Sequence, residues 1–181
     1  MCHIANYIIA ASAIIVVKYS MKLHSEDVAI REQLAAFLKC GHAHMTFEEA
    51  VKDFPLDRIN EKAPNSDYTP YRLLEHMRIT QWDILDFIRN PEYKYIKWPD
   101  DYWPKEGYKA SDKDWKKSIK LFKSDTEDLI SFLMNPETDL YRTIPHGTGQ
   151  TVLKEALVVI DHNSNHIGEF GILRSVMKTW K

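Results

Sequence analysis

The chain has 181 residues, 44% of them hydrophobic and 28% charged, with a formal net charge of −2. That length and balance suit one globular domain with one sizeable core, and they exclude a chain drawn as a whole to nucleic acid or anionic lipid. The two cysteines, Cys2 and Cys40, form no CxxC pair and cannot build a disulfide framework, which points to a reduced, cytoplasmic protein.

Residues 1–20 stand apart. Ile8 to Val17 is an almost wholly apolar run, too short to span a bilayer as a helix. Residues 1–7 hold no Lys or Arg, and Lys18-Tyr19-Ser20 is not a small-residue cleavage site, so a signal peptide is a poor match. Residues 1–20 are therefore expected to be an extension, an upstream start that the cell does not use, ahead of a domain at 21–181. Export is the other reading.

Helical spacing dominates the rest of the chain. The first helix is expected over about 25–39, with Val28, Leu34, Ala35, Phe37 and Leu38 as its apolar contacts, and it stops at Cys40-Gly41. A short helix comes next at about 47–53, opened by a capping box of Thr46 and Glu49 and ended by Pro55. Thr69-Pro70 opens the second long helix, with Thr as N-cap and Pro at the first helical position. It runs to about Arg89, where Asn90-Pro91 stops it. Residues 91–110 form a long connection carrying Tyr93, Tyr95, Trp98, Tyr102, Trp103 and Tyr108. These rings either pack on the helices or form a lid over a pocket.

Ser111 and Asp114 open a third long helix with an apolar stripe of Trp115, Ile119, Phe122, Thr126, Leu129 and Leu133, closed by Asn135-Pro136. Its lysines, within Lys113 to Lys123, make a solvated face rather than a nucleic-acid patch. The last helix spans about Gln150 to Met177. Its centre, Ala156 to Ile160, is apolar on every side, which predicts burial against several neighbours. Four long helices, one of them central, predict an all-α helical bundle.

The last helix turns polar at Asp161-His162-Asn163-Ser164-Asn165-His166. One helical turn separates His162 from His166, so both imidazoles point the same way and suit two ligands of one metal. With eight histidines in the chain, roughly 0.35 such pairs arise by chance, so the pair alone is weak evidence. His76 strengthens it. It lies on the inward stripe of the second helix with Leu73, Thr80, Asp83 and Phe87. Three buried imidazoles without partners would each forfeit hydrogen bonds, whereas a metal satisfies all three. Glu169 and Glu155, on the face of the pair, are candidates for supporting the ligands or acting as general base; Asp83 is a candidate for orienting His76. His146 is taken as a plain loop histidine, with a place in the pocket as the other reading.

The segments LLEHMRITQWDIL, WPDDYWP, HGTGQT and DHNSNHIGEFGILR resemble the DinB/YfiT-like superfamily, and the resemblance covers about residues 25–178. It implies a four-helix bundle of up-down-down-up topology, often a homodimer, with one divalent metal, zinc or nickel, on one His of the second helix and an HxxxH pair of the last. Here these are His76, His162 and His166. Relatives include thiol S-transferases that use bacillithiol, mycothiol-dependent isomerases and metal-dependent hydrolases. The resemblance thus implies a small-molecule substrate and either a low-molecular-weight thiol or water as nucleophile. A non-catalytic bundle that binds metal or ligand, or dimerises, is the alternative. No nucleic-acid partner and no membrane span are expected.

Overall fold

The computed structural model describes residues 25–39 and 41–180. The expectations for residues 1–20, for the domain start at Met21, and for Cys2 and Cys40 fall outside the described residues. Among the described residues the regular secondary structure is all helical, apart from one isolated bridge, Thr143 with Thr151. Helix α1 covers residues 25–38, α2 is Phe47–Val51, α3 Pro70–Arg89, α4 Asp112–Met134 and α5 Val152–Met177, with a single 3-10 turn at Leu56–Arg58. No helix among them is long and apolar enough to cross a membrane.

Local chemistry sets most boundaries. Thr46, Thr69, Ser111 and Thr151 each accept a hydrogen bond from the backbone N–H of the third residue of the following helix, and Thr46–Glu49 and Ser111–Asp114 complete reciprocal capping boxes. Gly41, beyond the end of α1, takes φ +87°, a conformation that costs glycine nothing.

Helix C-termini leave carbonyls without intrahelical partners, and arginines fill three of them. Arg31 donates to the Leu133, Asn135 and Thr138 carbonyls at the end of α4. Arg58 donates to Met177 O at the end of α5. Arg174, almost fully buried, donates to Ala50 O and Lys52 O at the end of α2 and lies 4.1 Å over the Trp180 ring. The Phe87 carbonyl of α3 would normally accept from residue 91, but Pro91 has no N–H. His146 Nε2 supplies that donor at 2.8 Å.

α3 lies between α4 and α5, touching both. One apolar cluster joins α2, α3, α4 and the end of α5 through Phe47, Leu73, Met77, Phe122 and Phe170. Another joins α1, α3, α4 and the start of α5 through Leu34, Leu38, Ile84, Leu129 and Val159. Two expectations need correction. Val28 and Phe37 are exposed rather than in the core of α1. The centre of α5 is not buried all round: Ala156 and Val159 face the core, but Leu157 is 50% exposed and Val158 39%. Leu157 and Ile160 of α5 face Phe37 and the 42–44 turn across a surface groove.

Candidate metal centre

Because α3 and α5 pack together, the His76 stripe of one meets the His162–His166 stripe of the other. One ring nitrogen from each of the three residues lies within 4.8 Å of the other two. His76 Nε2 and His162 Nε2 are 3.2 Å apart. The His76 and His162 rings make edge contacts with His166 at centroid distances of 4.9 and 4.4 Å.

The partners on the far side of each ring set its tautomer. His76 Nδ1 lies 2.9 Å from the Tyr102 carbonyl. A carbonyl can only accept, so the proton sits on Nδ1 and Nε2 carries a bare lone pair. His166 Nδ1 lies 2.6 Å from Glu169 Oε2, which imposes the same tautomer. His162 Nδ1 faces Asn163 Oδ1 at 3.4 Å. The Asn163 amide is held that way round because its Nδ2 donates to Gln81 Oε1 at 2.8 Å, while Gln81 Nε2 donates to Phe122 O at 2.8 Å. Elements α3, α4 and α5 thus all contribute to aiming Nε2 inward.

Lone pairs brought together in this way repel. A single proton could relieve one pair, as an N–H···N hydrogen bond, but it cannot serve three nitrogens. A cation can. Two nitrogens each about 2.0–2.1 Å from a tetrahedral zinc stand about 3.3 Å apart, close to the observed His76–His162 separation. Outward-facing Nδ1–H groups on carbonyl, amide and carboxylate acceptors are the support that metal-ligating imidazoles receive. The residues therefore fit a divalent cation, and the three-His group could hold one.

Burial first, and the neighbouring imidazoles after it, push both His76 and His162 down to about 4, with the Tyr102 carbonyl opposing the shift at His76. Both rings are neutral at ordinary pH, the form that binds metal.

The aromatic connection 91–110 covers this site. Trp103 lies flat on the His76 ring, with centroids 3.8 Å apart and planes 5° from parallel, and Tyr68 stacks on Trp103 at 5.6 Å. His76 is only 2% exposed. Next to His166, the Glu169 side chain is 37% exposed and borders, with Tyr68, a surface cavity of about 290 Å³. Burial and then the Glu169 carboxylate push the Tyr68 hydroxyl up to about 12, keeping it protonated.

Asp83 does not touch His76. Its buried carboxylate accepts from the hydroxyls of Tyr93, at 2.8 Å, and Tyr102, at 2.5 Å, and burial together with this carboxylate raises both phenols. It reaches His76 indirectly, by fixing the residue whose carbonyl holds Nδ1. Glu155 is buried two turns before His162, and burial raises its pKa; no hydrogen bond joins it to the three imidazoles, and it is not among the groups that meet there. His146 serves the end of α3 instead of this site. Sequence reasoning missed Trp103 and the Tyr102 carbonyl as individual contacts, although the density of aromatics in 91–110 signalled a cover. It also missed Asn163 and Gln81, for which adjacency to His162 was the only cue. No family model, no curated protein and no solved structure matches the chain.

Proposed function

We propose that this chain is a DinB/YfiT-like metalloprotein: a four-helix bundle of up-down-down-up topology holding one divalent cation, zinc or nickel, on His76, His162 and His166. We further infer that it is an enzyme acting on a small molecule with a thiol or a water as nucleophile. The observation that carries this reading is the inward convergence of three ring nitrogens whose outward nitrogens each face an acceptor. Three protein ligands leave coordination positions open, as in catalytic rather than structural sites.

A cation there would supply Lewis acidity, bringing the deprotonation of a ligated water or thiol toward neutral pH. The chain's own residues do the rest. Glu169 holds His166 through Nδ1 and is exposed enough to accept a proton from an incoming nucleophile. Trp103 excludes water from the His76 side. The alternative, a non-catalytic bundle that binds metal or ligand or dimerises, predicts no turnover.

The test is metal content of the purified chain beside His162→Ala. Stoichiometric metal in the first and none in the second is expected; equal content in both would end the proposal. In the loaded protein, added low-molecular-weight thiol accelerates turnover if the nucleophile is a thiol and leaves it unchanged if it is water.

A further inference from the structure

Every arginine in the described residues that is not on the open surface has an acceptor, with one exception. Arg31, Arg58 and Arg174 donate to helix-end carbonyls, and Arg78 pairs with Glu75 at 2.7 Å. Arg72 is half-buried, and its guanidinium has no hydrogen-bond or ion-pair partner among the described residues; its Nε is buried and unsatisfied, as is that of Arg174. The terminal nitrogens of Arg174 have carbonyl acceptors; those of Arg72 have none, and it is these that call for an explanation.

Its position suggests one. Arg72 is one helical turn before His76 on α3, so the two side chains lie on one face. Both contact the same ring: the Arg72 Cζ is 5.8 Å from the Trp103 centroid, and the His76 ring is 3.8 Å from it. Two carboxylates on the helices that carry the cluster are committed elsewhere. Glu169 holds His166, and Glu75 takes Arg78. What remains is a permanent cation on an aromatic platform beside the three-His cluster, with its two terminal nitrogens free to receive a bidentate anion.

The geometry points to Arg72 as the anchor for a carboxylate of the substrate or co-substrate. The ligand class is a small organic acid that also carries a metal-binding group, such as a thiol. This rests on the three-His cluster holding a metal. Trp103 sets the anchor's height against the cluster, because it packs on both residues. No hydrogen bond joins Arg72 to the three imidazoles, so it selects the ligand and does not build the metal site.

The experiment uses the full chain loaded with cobalt(II), whose d–d absorption reports metal uptake and whose sulfur-to-cobalt charge-transfer band reports thiolate binding. The probes are 3-mercaptopropionate and its uncharged analogue 3-mercaptopropionamide. The acid is expected to bind at least about tenfold more tightly than the amide, in line with a hydrogen-bonded charge pair. Arg72→Gln is expected to keep the d–d spectrum and erase the preference. An amide that binds the unaltered protein as tightly as the acid overturns the proposal without needing any variant. A preference that survives in Arg72→Gln also overturns it. Failure to take up cobalt at all overturns the metal reading, and this one with it, whereas the first two outcomes leave the metal reading standing.

Discussion

His146 and His76 are both held by the aromatic segment 91–110, the first stacked on Tyr93 at 5.7 Å and the second on Trp103 at 3.8 Å. Each also has one ring nitrogen close to a backbone carbonyl, His146 Nε2 on Phe87 and His76 Nδ1 on Tyr102. They differ in the remaining nitrogen. That of His76 meets His162 at 3.2 Å with His166 alongside, while His146 belongs to no metal-holding group among the described residues. Neither aromatic packing nor a carbonyl partner distinguishes a ligand from a structural histidine; convergence with other donors does.

The sharpest way to break that distinction is to remove each ring in turn. His76→Ala is expected to lower affinity for a divalent cation by more than about a hundredfold, since loss of a ligand exceeds loss of a ligand's support. His146→Ala is expected to keep stoichiometric metal and to lose about 1–3 kcal/mol of stability, the cost of leaving the Phe87 carbonyl unpaired. Metal analysis beside denaturant unfolding reads both. Equal metal loss in the two variants would dissolve the contrast.

Acid provides the next test, in metal-free protein. His76 is held near 4 in the folded chain against about 6.5 when unfolded. Between those values the unfolded chain binds more protons, so stability is fully present above about 6.5 and falls as pH drops toward 4. The loss from His76 is up to roughly 3 kcal/mol, and His162 adds to it in the same direction. His76→Gln is expected to flatten this part of the acid response, while His146→Gln leaves it. An unchanged slope in His76→Gln would show that the ring is not buried neutral.

Much of this molecule was legible in the sequence because its causes are local. Thr69-Pro70 and Asn90-Pro91 bracket α3 through capping and a missing N–H, and the observed helix ends there. The His162–His166 pair was legible for the same reason, since one turn of helix fixes it. What failed depended on neighbours. An apolar stretch such as Ala156 to Ile160 cannot say how many elements will cover it, and only one side of α5 is fully covered. The acceptor on His76 is a backbone carbonyl, identical in every residue, so nothing in the letters marks Tyr102. Glu155 and Glu169 looked equivalent by helical face; only the packing of α5 leaves the first buried apart from the imidazoles and the second on His166.

Asp83 is where the two histidine regions are joined, and the smallest effects should separate there. Its carboxylate takes the Tyr93 hydroxyl on the His146 side and the Tyr102 hydroxyl on the His76 side. Asp83→Asn leaves one oxygen for two donors and turns an amide N–H₂ toward the other. Tyr102 then loses its anchor, and with it the fixed carbonyl that sets the tautomer of His76. Metal affinity is expected to fall about tenfold, the lower range for outer-shell partners. Tyr93→Phe removes only the donor on the far side, leaving Tyr102 tied to Asp83. It is expected to cost about 1 kcal/mol in unfolding free energy and to leave metal affinity unchanged. Metal titration and chemical denaturation of the two variants measure both quantities. If Tyr93→Phe weakens metal as much as Asp83→Asn does, the carboxylate acts on the segment as a whole, and the specific path through Tyr102 to His76 is wrong.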